Sequence, residues 1–299
     1  MPTNILSAFN VEVWSKLVIQ KLYQRNVAMM VAANTDYEGD VQRAGSTVYV
    51  RTYGRVSWGS YSKGQPISYQ ELASAKEPLV VNDAEYFAFM LDDLDKAQAD
   101  LPLEEPYTRE AAISLSELID TKIFSYYTSA HASNVIGTVG APITLAATGA
   151  GVTTWAQVVA MNQKLDAMNV PSEGRWAIVG PDFKAWIAKD ETLIKALAPV
   201  AGTILSTARP GMTSDSVANY LGNLGGMDIY WSNNLPKPAA GVTANLFGQG
   251  RPISYASKFR EVETIRLQDT FASAVRGLIL HDGKVFSEHS KRLGVLYTN

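Results

Sequence analysis

The chain has 299 residues, of which 46% are hydrophobic and 18% charged, with a net charge of −3. That balance excludes a disordered chain and, with no Lys/Arg run, argues against a protein that reads nucleic acid, while leaving room for one that merely contains it. There is no cysteine, which excludes disulfides, thiol nucleophiles and thiolate metal sites.

The N-terminus lacks the unbroken apolar region of a signal peptide, and no run of about 18 apolar residues is present to span a bilayer. From Glu12 to Val31 the apolar residues Trp14, Leu17, Val18 and Leu22 recur at helical spacing, with Asn10 placed to cap the start. Thr47 to Trp58 alternates instead: Val48, Val50, Val56 and Trp58 fall on one side, and Tyr49, Arg51, Tyr53 and Arg55 on the other. A two-residue period is a strand. Ser62 to Pro66 reads as a turn, and Ile67, Tyr69 and Leu79 to Val81 as an interrupted returning strand. The segment is therefore a long hairpin, its tip at Lys63.

Tyr86 to Leu91 reads as a short buried strand, followed by the acidic stretch Asp92, Asp93 and Asp95. Pro106 opens a long helix in which Ala111, Leu115, Leu118, Ile119, Ile123 and Tyr126 keep a three-to-four spacing. Gly137 to Gly151 is a Gly/Ala/Thr-rich loop. Thr154 to Gln157 has the form of a capping box, opening a helix through Val158, Met161, Leu165 and Met168. Arg175 to Gly180 is a predicted strand, and Pro181-Asp182 starts a helix with Phe183, Trp186 and Ile187 on one face. Thr203 to Asn223 reads as a surface loop. Met227 to Ser232, Ala244 to Phe247, Val262 to Leu267 and Phe271 to Leu280 are further strands, and Asp282-Gly283 signals a tight turn.

Chemistry-bearing motifs are missing. The sequence contains no G-x-S-x-G elbow, no phosphate-binding G-x-x-x-x-G-K-[ST] loop and no H-E-x-x-H helix. His131, His281 and His289 are not at ligand spacing. The acids at 92, 93 and 95 lack the glycine and distal glutamate of a calcium loop and read as a solvated helix start. Trp176 and Trp186 read as core residues rather than a stacking platform. These features imply no catalytic residue, no metal and no cofactor.

The order of the pieces resembles the Hong Kong 97-type capsid fold of tailed bacteriophages. Tyr37 to Val41 followed by Gly45 to Val48 resembles the entry to that family's extended E-loop. Tyr86 to Phe89 with Asp92 to Asp95 resembles the segment before its spine helix. Gly174 to Phe183 and Gly226 to Pro236 resemble its axial domain. Val275 to Leu278 with Asp282 to Val285 resembles the closing strands of its peripheral domain.

The resemblance implies an α+β fold divided into an N-terminal arm (1–35), an E-loop (36–83), a peripheral domain with the spine helix (84–135), an axial domain (136–249) and a return to the peripheral domain (250–299). It implies a major capsid protein that assembles as hexamers and pentamers into an icosahedral virion shell around double-stranded DNA, formed in the host cytoplasm, with no membrane and no sequence-specific DNA contact. The implied partners are other copies of the chain, a portal, a decoration protein and a separate scaffolding protein, the last because the chain starts at Met1 without a long N-terminal extension. An encapsulin-like nanocompartment shell is the alternative within the same fold. The expected intersubunit contacts lie on the E-loop: Val48, Val50, Tyr53, Val56, Trp58, Tyr61, Lys63, Ile67 and Tyr69.

Overall fold

The computed structural model describes residues 27–38, 47–53, 56–71, 74–92, 104–146, 152–190, 219–268 and 270–299. The expected helix from Glu12 lies outside them apart from its last turn, as do Gly39 to Ser46, Gly54, Arg55, Asp93, Asp95 and the loop from Thr203 to Ala218.

Among the described residues, a four-stranded sheet, a six-stranded sheet, a two-stranded ribbon and one long helix organise the fold. Helix α1 (Val27–Val31) leads into the short strand β1 (Ala33–Asn34). Strands β2 (Thr47–Tyr53) and β3 (Ser74–Val80) pair antiparallel as a separate ribbon. Strand β4 (Asp83–Asp92) then joins β10 (Ile253–Arg266) and β11 (Ala272–Val285) in a four-stranded sheet of order β1-β10-β11-β4. Helix α2 (Glu104–Ser125) contributes Ala112, Leu115, Ile119, Ile123 and Phe124 to the core shared with this sheet. The helix begins two residues before Pro106, which therefore sits in the first turn, where its missing N–H has no partner to lose.

The second sheet has six strands in the order β5-β12-β9-β6-β8-β7. These are β5 (Val135–Ile136), β6 (Arg175–Val179), β7 (Tyr220–Leu224), β8 (Met227–Trp231), β9 (Thr243–Gln249) and β12 (Leu293–Thr298). Helices α3 (Thr154–Ala167) and α4 (Pro181–Lys189) cover one of its faces. Strand β6 is buried throughout. Its alternate side chains go to different cores: Trp176 and Ile178 join the α2 cluster, while Ala177 and Val179 join Met161, Leu165 and Phe183 under α3 and α4. Two-residue periodicity thus lets one strand tie both layers together.

Several expectations shift. The cap of α3 is Thr153, one residue earlier than predicted; its hydroxyl accepts the Ala156 amide. Thr154 instead donates to the buried Asp190 at 2.7 Å, and Asp190 also accepts the Trp155 amide. The predicted loop ending at Asn223 contains β7, joined to β8 across Gly225 and Gly226, whose φ angles of 60° and 83° suit a tight hairpin turn. Strand β4 is an edge strand rather than a buried one, with Tyr86 81% exposed. Asp282-Gly283 is not a turn but part of β11, paired with Ala256 and Tyr255. Strand β12, which the sequence did not signal and which lies in the 250–299 stretch assigned to the return to the peripheral domain, pairs with β5 and β9 in the six-stranded sheet. Leu293, Val295 and Leu296 are all buried, and a strand apolar on both faces needs cover on both sides.

Candidate intersubunit surface

The ribbon divides into an anchored base and an exposed end. Its register runs from Thr47 opposite Val80 to Tyr53 opposite Ser74. Along β2 the burial alternates: Val48 and Val50 are half-buried, Tyr49, Arg51 and Tyr53 exposed. Val48 and Val50, expected at a contact between subunits, pack in part on their own chain, against a cluster of Leu79, Val81, Ala256, Leu280 and Phe286. Polar ties reinforce this base. The amide and hydroxyl of Ser287 both donate to the Glu77 carboxylate, and Lys284 Nζ donates to Pro78 O at 2.9 Å. The Ser287 hydroxyl is the main reason the Glu77 carboxyl titrates below its ordinary range.

From the last pair of the strands outward, the remaining candidates face solvent. Tyr53, Val56, Trp58, Tyr61, Lys63, Ile67 and Tyr69 are all exposed, Trp58 fully and Tyr69 by 95%. The two limbs are held together by Ser57, whose amide and hydroxyl donate to Gln70 Oε1 at 3.1 and 3.0 Å. A turn closes the tip, with Gln65 N–H donating to Ser62 O and Gly64 at φ 89°. The end of the ribbon is therefore a row of aromatic and aliphatic side chains with no core of its own.

A second exposed apolar surface was missed from sequence. Tyr86, Ala88 and Met90 share one face of β4, and Leu278 stands opposite Tyr86 across the ladder. The alternation with Phe87 and Phe89 was the available signal, hidden because both sets are apolar. Phe271, near the turn between β10 and β11, is also exposed.

The remaining candidate residues do not converge. His131 accepts the Ser133 amide through Nδ1, a local cap. His281 is buried in β11, with its Nε2 3.9 Å from Glu85 Oε1. Burial holds its imidazole below the ordinary range against the pull of Glu85, and burial does the same to His289 beside Phe286. Among the described residues no three His, Asp or Glu are grouped to hold an ion. Trp176 is buried and its indole donates to Gly250 O at 2.6 Å. Trp186 is packed on the α3/α4 core, with Lys189 over its ring.

Solved structures share this architecture. A chain from Mycobacterium phage Che8 superposes with a TM-score of 0.65 at 22% identity, covering 91% of this chain and 90% of that one. The capsid structure of cyanophage P-SCSP1u gives 0.64 at 14% identity over 90% of this chain and 86% of that one. A virus-like particle from Pyrococcus furiosus gives 0.54 at 9% identity, over 95% and 98%. No curated protein sequence matches the chain. The family model described as phage capsid protein matches residues 84–280, well over half the chain. The chain belongs to the phage capsid protein family, a family of virion shell proteins, and has the Hong Kong 97-type α+β fold.

Proposed function

We propose that this chain is a major capsid protein that assembles as hexamers and pentamers into an icosahedral shell around phage double-stranded DNA. The observation that carries the reading is the end of the ribbon, where Trp58, Tyr61, Ile67 and Tyr69 stand exposed together. Contiguous apolar surface of this kind marks an interaction site, and a free two-stranded ribbon is marginal in water. Val48 and Val50 fix the base to its own subunit, so the exposed remainder is what a neighbouring copy covers. Closed shells need such heterologous contacts, with rotations that close.

In this reading residues 1–35 are the N-terminal arm and 36–83 the E-loop. The four-stranded sheet with α2 is the peripheral domain. The six-stranded sheet with α3 and α4 is the axial domain, with β12 added to it. A separate scaffolding protein, a portal and a decoration protein are the further partners, and assembly takes place in the host cytoplasm. The net charge of −3 and the absence of Lys/Arg runs support containment of DNA without sequence reading.

The test replaces residues 54–69 with a short Gly/Ser turn and compares electron micrographs of both proteins expressed with and without the scaffold. The expected result is a folded subunit that forms no shells. Normal shells from the shortened protein would refute the contact, and a strictly monomeric parent protein would refute assembly. Shells that load an enzyme instead of DNA would favour an encapsulin-like compartment.

A further inference from the structure

The strap formed by α1 and β1 is pinned at one buried carboxylate. Ala28, Ala32 and Ala33 have no exposed surface, which lets the strap lie close against α2 and β10. The Ala28 amide donates to Asp120 Oδ1 at 3.2 Å. The Val27 amide and the Asn234 side chain donate to the same carboxyl group. Asp120 is 3% exposed. Three elements, α1, α2 and the turn at Asn234, therefore meet on a single side chain.

We propose that Asp120 is a proton-operated latch: as a neutral acid it clamps the strap to α2, and on ionising it loosens the strap. The physical reason is that a charge in this position loses more hydration than its donors return. Burial, the largest influence, raises the carboxyl to about 7, against the lowering effect of the amides and Asn234. Glu117, one turn back on α2, adds a like charge. Helix α1 carries no acidic or basic residue. Arg251, ahead of β10, acts on the strap itself by donating to Met30 O at 3.2 Å. Lys237 is the charged residue nearest in sequence to Asn234.

The sign follows from linkage. A carboxyl raised in the closed state gives its full stabilisation below its ordinary value of 3.8 and loses it as pH rises to about 7. In sequence the strap stands between residues 1–26 and the ribbon. This inference rests on the subunit's own geometry and is independent of the assembly reading.

Hydrogen exchange by mass spectrometry on the full chain, corrected for intrinsic rates, reads the latch directly. Protection of the 27–34 strap should fall about tenfold per pH unit up to about 7 and then level off, while α2 peptides hold steady. Asp120→Asn should keep the strap protected at every pH, because a neutral amide oxygen accepts the same N–H. Glu117→Gln, which removes the like charge, should move the levelling point to lower pH. Strap protection independent of pH in the parent protein would overturn the proposal, as would an Asp120→Asn variant with the parent's dependence. Should Asp120→Asn fail to fold, Glu117→Gln decides: a lowered levelling point supports the latch and an unmoved one overturns it.

Discussion

The hydroxyl of Tyr126 donates to Asp282 Oδ1 at 2.7 Å and accepts the Gly283 amide at 2.8 Å, so one ring joins the end of α2 to β11. The ring lies so close that a Cβ at Gly283 would stand 2.9 Å from Tyr126 Cε2 and 3.0 Å from Ser254 O. Tyr126→Phe should lower unfolding free energy by about 1–3 kcal/mol, since it strips partners from part-buried polar groups. Gly283→Ala should cost about 1–3 kcal/mol by overpacking. Because both changes act on one contact, their denaturant-measured losses should not add; strict additivity would show that the two residues are not coupled.

His281 should give the fold an acid-sensitive component. Burial is the main cause of its lowered titration, with Lys122 acting the same way and Glu85, Asp83 and Asp282 opposing. A histidine held neutral in the fold contributes fully above its ordinary value of 6.5 and loses that contribution as pH falls below it. Urea unfolding should show stability declining below that value, by at most about 1.4 kcal/mol per pH unit from this one group. His281→Gln should flatten that part of the profile. An unchanged slope would assign the acid loss to the carboxylates.

The ribbon's two regions should respond oppositely to truncation. Leu79, 1% exposed in the base cluster, should cost about 2–5 kcal/mol as Leu79→Ala. Trp58→Ala, at a fully exposed position, should leave subunit stability within about 0.5 kcal/mol while lowering the yield of shells. Thermal melts and sedimentation of the assembled product separate the two effects. A destabilised Trp58→Ala subunit would place the tip in its own core.

Gly226 isolates a backbone effect, since a Cβ there would meet nothing within 4 Å although φ is 83°. Gly226→Ala should cost about 1–2 kcal/mol from the left-handed conformation alone, and Gly226→Asn should cost less, because asparagine tolerates that region better. Equal losses in chemical denaturation would point to a contact rather than to φ.

Local periodicity carried much of the chain. The alternation of β2, the spacing along α2 and α3, the strand at Arg175 with its following helix, and the turn at the ribbon tip were all legible, because each depends on neighbours a few residues apart. The exposed candidates from Tyr53 to Tyr69 were legible for the same reason, since an apolar pattern inside a polar, turn-punctuated ribbon is a local property. What sequence could not settle was which apolar residues would find cover. Val48 and Val50 look the same as Val56 in the pattern, yet β11 and Phe286, more than 200 residues away in sequence, cover only the first two. Tyr86 and Phe87 are equally apolar, and the sheet order alone leaves β4 at an edge. Asp282-Gly283 carries the signal of a turn, but Tyr126, in the turn that follows α2, approaches so closely that it leaves no room for a Cβ. Sequence thus determined the elements and the apolar ribbon, through short-range geometry. Tertiary structure decided burial, the placement of β12 and the contacts of Asp120, because those depend on partners that distant parts of the chain bring into contact.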